Sequence, residues 1–227
     1  RGTSAKHLCE QAENALHLTQ WGPETQITVD TFYMDLTEVT YADYRACVDS
    51  GRCGKAGPAY SDFDHPSQPI TGISWHDANQ YCKSAGKHLP TEAEWEKAAR
   101  GPESSDTPFA RSPVTCSEAV VRDARGRSCG RLKSGAKPHK GKVWPVASKP
   151  AGHYGLFDMV GNVEEWVADW YVPSLEACGT PCLGHNPKGP CHGQAPCPNA
   201  TLKMVKGGSW YWPASHATGW HRRPHTP

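Results

Sequence analysis

Two segments in the last third of the chain each combine permissive glycine with a bulky aromatic anchor: GLFDMVGNVEEW at residues 155–166 and VKGGSW at 205–210. Glycine reaches backbone conformations that other residues avoid, so such pairings mark tight loops pinned by tryptophan. The first segment also carries the carboxylates of Asp158, Glu164 and Glu165. With 22 Gly and 20 Pro among 227 residues, most of the chain outside a few helices must be loop. The length suffices for one substantial core. Without an internal repeat or a clean linker, residues 1–227 read as a single loop-rich α+β domain.

Three helices are predicted by paired start and stop signals. Thr40 is the N-cap of the first, with Asp43 three residues on, Tyr41, Tyr44, Cys47 and Val48 inward, and Gly51 at its end. Ser74 and Asp77 open the second, which turns Ala78, Tyr81, Cys82 and Ala85 inward and stops at Gly86. Thr91, behind Pro90, opens the third with Glu94. Trp95, Ala98 and Ala99 face the core and Gly101 closes it. Alternation over residues 26–33 predicts a strand with Ile27 and Val29 on one side. Val205 ends a second strand leading into the GGS turn.

Ten cysteines in a chain of this size point to an oxidising compartment. Cys47 and Cys53 flank a tight turn, and Cys116 and Cys129 bracket a loop. Cys178, Cys182, Cys191 and Cys197 lie in a Gly/Pro-rich stretch, residues 177–199, that could not hold itself together unaided. A zinc site from Cys182, His185, Cys191 and His192 is chemically conceivable, but the spacing matches no standard finger, so disulfides are the expected device. A start at Arg1 with no leader suits a processed exported protein, whether periplasmic, cell-surface or extracellular. The net charge of +1 gives no electrostatic case for nucleic acid. Lys133, Lys137, Lys140 and Lys142, interleaved with Gly and Pro, read as a solvated loop. No apolar run approaches the roughly 20 residues of a membrane span.

FYMDLTEVTYADYRACV, ITGISWHDANQYCKSAGKHLPTEAEWEKAARG, YGLFDMVGNVEEWVADWY and VKGGSW occur in this order. In them the chain resembles the formylglycine-generating enzyme, or sulfatase-modifying-factor, family over residues 28–210, apart from the cysteine-rich insert. The resemblance implies a variant of the C-type lectin fold with a small twisted sheet. It also implies a closing Gly-Phe-Arg strand after residue 227. In relatives Cys82 can pair with a cysteine of that strand, which here leaves Cys9 or a free thiol.

The family's functions divide. Some members oxidise a substrate cysteine with copper, some are domains of iron-dependent sulfur-transfer enzymes, and others bind ligands or serve in secretion. In the oxidases two cysteines after the GGS turn hold copper, and soft thiolates suit Cu(I). Aligned on Gly207, Gly208 and Ser209, those positions are Trp212 and His216, and no cysteine follows Cys197. His216, His221 and His225 are the alternative ligands for copper or iron, against their reading as surface histidines of a polar tail. The resemblance further implies calcium at the GNVEEW loop, held by Asp158, the carbonyls of Gly161 and Val163, and Glu165. Asp158 stands where some relatives carry Asn, and hard oxygen donors of this kind suit Ca²⁺. The family's second calcium site finds no convincing match near residues 116–123.

Three readings follow. The first is an exported, disulfide-stabilised, calcium-supported binding or assembly module, which meets an unidentified protein or small-molecule ligand through Tyr211, Trp212, Trp220, Arg222 and Arg223, with Trp210 in the core. Aromatic and Arg side chains are what interface hot spots use. The second is an oxidoreductase with histidines in place of the copper thiolates. The third is a purely structural extracellular domain, which reduction would collapse and calcium removal would hardly affect.

Overall fold

The computed structural model describes residues 25–109, 112–131 and 141–227, together with two short strands, β1 (His7–Leu8) and β2 (Leu16–His17). The helices are α1 (Tyr41–Asp49), α2 (Trp75–Ser84) and α3 (Glu92–Arg100), and each begins at the expected cap. In α2 and α3 the cap is reciprocal: Ser74 and Asp77, and Thr91 and Glu94, exchange side-chain and backbone hydrogen bonds, so orphan amides find acceptors. In α1 the Asp43 carboxylate takes the Thr40 hydroxyl at 2.6 Å, leaving only half of that exchange.

The inward faces follow the sequence with one exchange. Tyr44 and Cys47 of α1 are buried. In α2 Ala85 is exposed, and Trp75, at the first turn, is buried with its indole N–H on the Val167 carbonyl at 2.8 Å. Trp95, Ala98 and Ala99 of α3 pack with Leu156, Met159, Val167 and Met204 in the main core cluster. Replacing Trp95 with Ala is expected to cost about 3–5 kcal/mol. The charged face of α3 is buried as well: Arg100 pairs with Glu96 at 2.9 Å, and Lys206 reaches Glu96 at 3.2 Å.

The predicted strand over residues 26–33 divides into β3 (Gln26–Thr28), with Ile27 fully buried, and β4 (Tyr33–Met34). β4 pairs with β1, and β3 with β2. The third sheet carries β5 (Glu165–Trp170), β7 (Lys203–Lys206) and β8 (Arg223–His225), with β7 in the middle. All four residues of β7 are buried.

Between β5 and β7 the insert forms a four-residue helix, α4 (Leu175–Cys178), and β6 (Gly184–His185), which joins β3 in parallel. Among the described residues four disulfides form: Cys47–Cys53, Cys116–Cys129, Cys178–Cys182 and Cys191–Cys197. The last two consume Cys182 and Cys191, which rules out the zinc reading, and His185 pairs instead with Asp30 at 2.9 Å. The insert is tied down by Lys203, whose ammonium donates to the Ala168 and Gly193 carbonyls and lies against Trp75 and Trp170. Cys82 is a free thiol, and burial pushes its pKa up to about 11. Cys9 lies outside the described residues. No helix among the described residues is long and apolar enough to cross a membrane.

Candidate functional site

The GNVEEW loop is built on backbone that sequence alone dictates. Gly161 has φ +86°, and a Cβ there would meet the Val120 amide and carbonyl at 2.9 Å. Its amide donates to the Gly207 carbonyl at 2.8 Å, and the Asn162 carbonyl accepts from Trp210, so the two glycine–tryptophan segments are directly stitched together. Asn162 is fully buried. Its side chain accepts from the Trp144 amide and donates to Glu38 at 2.7 Å.

Asp158 and Glu165 both face inward. Asp158 accepts from the Ala147 amide at 2.6 Å, and Glu165 accepts the Trp95 indole N–H at 2.8 Å. Glu38, just before α1, joins them: its two oxygens accept from Asn162 and from the Val163 amide. Burial, and then the charges of Asp158 and Glu165, drive the Glu38 carboxyl well above its usual range. Burial pushes Glu165 up to about 7, with Asp158 adding to it. Asp158 is raised by burial, with partial relief from the Ala147 amide and Lys149. The carbonyls of Gly161 and Val163 accept no hydrogen bond among the described residues. Glu38 and Asp158 are buried and Glu165 is half-buried, and the charges of the latter two raise Glu38, so carboxylates gather here beside two carbonyls that accept no hydrogen bond among the described residues.

Sequence reasoning named Asp158, Gly161, Val163 and Glu165 but not Glu38 or Asn162. The available signal was the Glu directly preceding Val39 and the Thr40 cap. Its distance of 124 residues from Asn162 hid the contact.

The segment after the GGS turn lies beside this loop. A Cβ on Gly208 would approach the His216 carbonyl to 2.7 Å, which fixes how the segment folds back. A continuous aromatic row runs through Phe63, Trp210, Tyr211, Trp212, His216 and His221. Trp210 is half-buried rather than a core residue, because it packs edge-on against buried Phe63 at the rim. Tyr211, Trp212 and Trp220 are half-buried too. The Trp220 indole donates to Asp106 at 3.2 Å.

The two arginines differ in their surroundings. Arg222 forks onto Glu92 at 2.6 and 3.1 Å and donates to the Val172 carbonyl. Burial works against the Glu92 charge, but Arg222 and Lys206 outweigh it and lower its pKa. Arg223 pairs with Glu164 at 2.6 Å and lies 4.9 Å from the Trp212 ring.

His216 and His221 come together, ring centroids 4.4 Å apart, and the His216 Nδ1 is buried without a hydrogen-bond partner. Burial lowers both pKa values, that of His221 to about 4. His225 sits elsewhere, edge-on to Trp166 at 5.3 Å. Among the described residues no set of three His, Cys, Asp or Glu side chains is placed to hold a metal, so the three-histidine site does not assemble.

Comparison with known proteins places these features. The family model described as "Sulfatase-modifying factor enzyme 1-like domain" matches residues 3–227. The chain is 37% identical over 162 residues to the formylglycine-generating enzyme of Thermomonospora curvata, covering 68% of this chain and 48% of that enzyme. The chain thus spans about half the length of that relative. In structure it superposes on Treponema denticola variable protein 1 with a TM-score of 0.70 at 18% identity, over 98% of this chain and 89% of that one. PvdO from Pseudomonas aeruginosa gives a TM-score of 0.70 at 21% identity, over 97% and 87%.

Proposed function

Since the chain belongs to the sulfatase-modifying factor enzyme 1-like domain family, we propose that it is an exported binding or assembly module of that family, with calcium holding the GNVEEW loop. The observation that carries this reading is the pair Trp212 and His216. Where the oxidases of the family are expected to present two thiolates to copper, an indole stacks on an imidazole. Neither side chain supplies the soft sulfur donors that Cu(I) prefers.

Calcium fits the loop. Asp158 and Glu165, with the free carbonyls of Gly161 and Val163, would hold the ion, and Glu38 and Asn162 would orient the loop around it. The ion would offset the negative charge that Glu38, Asp158 and Glu165 bring together. A loop fixed in this way supports the adjoining face, on which Tyr211, Trp212, Trp220 and Arg223 remain partly exposed to a partner. Arg222, engaged by Glu92, serves that face through its fold. Four disulfides favour an oxidising compartment. The test is calcium titration by calorimetry: Asp158→Asn and Glu165→Gln should each weaken binding by at least about tenfold, and unaltered binding would remove the loop from the proposal.

A second reading, a metal-dependent oxidoreductase, draws on the closeness of His216 and His221 and the unpartnered His216 Nδ1. Imidazole suits copper and iron. Oxygen uptake with a cysteine-containing peptide and added copper, lost in His216→Ala and His221→Ala, would favour it over the binding module.

A further inference from the structure

The chain's near-neutral total conceals a local excess of positive charge. Residues 122–149 hold nine of its 24 Lys and Arg residues but only one, Asp123, of its 23 Asp and Glu residues. Asp123 is already taken by the guanidinium of Arg125. In the described part of this stretch three cations are laid on aromatic rings. The Arg127 guanidinium lies 3.7 Å from the Tyr211 ring centroid. Arg131 and Lys149 approach the ring of Trp144 to 3.9 and 4.4 Å.

The rings themselves are fixed. The Trp144 indole donates to Ser128 Oγ at 3.0 Å, and the Ser128 amide donates to the Trp210 carbonyl at 2.8 Å, beside the Cys116–Cys129 disulfide. A guanidinium held over a ring face in this way can still offer N–H groups to an anion. Arg127 and Arg131 form no ion pair with a carboxylate among the described residues. Burial first, and then Arg125 and Arg131, disfavour the Lys149 charge, against partial support from Asp158. Asp123 offsets Arg125 and Asp158 offsets part of the charge at Lys149. Arg127 and Arg131 keep theirs without a carboxylate, and an incoming anion would neutralise them.

We propose that this face, carried by Arg127, Arg131 and Lys149 on Tyr211 and Trp144, binds an acidic polysaccharide through its sulfate or carboxylate groups. The proposal rests on the binding-module reading and names its partner class, since Tyr211 belongs to both surfaces. Planar guanidinium groups match the paired oxygens of sulfate and carboxylate. A nucleic acid fits less well, because single strands are held by stacking bases on aromatic faces, and here cations occupy those faces. A peptide would need an aromatic or aliphatic anchor pocket, and the same rings are the ones covered.

The experiment is fluorescence or calorimetric titration of the full chain with a heparin octasaccharide at physiological ionic strength. Three variants are compared with the parent. The first replaces Arg127, Arg131 and Lys149 together by Gln. The second replaces exposed Lys55, Lys83 and Lys188 by Gln, which removes the same charge elsewhere. The third is Arg131→Gln alone, at an exposed position that keeps the test valid if the first variant unfolds in a thermal melt. The face triple should lose about tenfold in affinity and Arg131→Gln about twofold, with the control triple near the parent. Equal losses in both triples would overturn the proposal, as would equally tight binding of a glutamate-rich peptide or a single-stranded oligonucleotide of matched charge. Absence of heparin binding in a calcium-loaded, copper-free protein would overturn it while leaving the binding module standing. Copper-dependent oxygen uptake would instead strike the module reading itself.

Discussion

The indole of Trp212 lies parallel to the imidazole of His216, with 5.2 Å between ring centroids and 9° between planes. Arg223 approaches the same indole to 4.9 Å, and His221 continues the stack from His216. The loop after the GGS turn is therefore filled by ring on ring, and burial lowers the pKa of both histidines.

Removing the indole should expose His216. In Trp212→Ala the His216 pKa is expected to rise back toward the ordinary imidazole value, because burial is the first cause of its depression. An NMR titration of the ring protons reads this directly. The stability loss should be about 1–3 kcal/mol, as for a half-buried aromatic. An unmoved His216 titration would mean that other contacts dry the ring.

Calcium should change how stability depends on pH. Glu165 has a folded pKa of about 7 against 4.5 for the free carboxyl. A raised acid binds its proton more tightly when folded, so the metal-free protein is most favoured below pH 4.5 with respect to this group. It should lose stability as pH rises to about 7. Thermal melts in chelator should show that fall, and Glu165→Gln should flatten it. Saturating calcium should abolish the fall by binding the ionised form, and a calcium-independent profile would contradict the assigned loop.

His221 acts in the opposite sense. Its pKa falls to about 4 on folding, through burial first and then His216. The unfolded chain therefore binds this proton more readily, and stability declines as pH drops from about 6.5 toward 4. His221→Gln should flatten this acid limb in denaturant titrations at stepped pH.

The adjacent arginines should separate in effect. Arg222→Ala leaves buried Glu92 with Lys206 at 3.7 Å as its remaining cation and should cost about 3–5 kcal/mol. Arg223, a third exposed, faces Glu164, and Arg223→Ala should cost less than about 1 kcal/mol. Urea unfolding of both variants measures the difference, and equal costs would show that Arg222 and Glu92 are not a buried unit.

Reduction should loosen the insert before the core. Each short disulfide loop there contributes about 2 kcal/mol by chain entropy, whereas the core cluster around Trp95 contains no disulfide. Limited proteolysis in reducing agent, followed by mass spectrometry, should cut first within residues 177–199. Cleavage beginning in α2 or α3 would contradict this order.

Much of this was legible in the chain because it is local. Caps at Thr40, Ser74 and Thr91 depend on residues three positions apart, and the α3 core face follows from the spacing of Trp95, Ala98 and Ala99. Ala85 escaped the pattern because α2 meets the core through Trp75, whose indole finds the Val167 carbonyl 92 residues away. The strand over residues 26–33 divided because β3 and β4 serve different sheets. At the site, the loop residues Asp158 to Glu165 carry their own motif, whereas Glu38 acts through partners far along the chain. Periodicity does not report such long-range satisfaction of buried polar groups, and it likewise gave no sign that His225 would pack on Trp166, away from the other two histidines.

Metal content is the most direct test. Protein prepared from an oxidising compartment without chelators, and measured by inductively coupled plasma mass spectrometry, should contain about one equivalent of calcium and no stoichiometric copper or iron. Copper or iron near one equivalent, lost in His216→Ala and His221→Ala, would contradict the binding module and establish a metal centre on those two imidazoles.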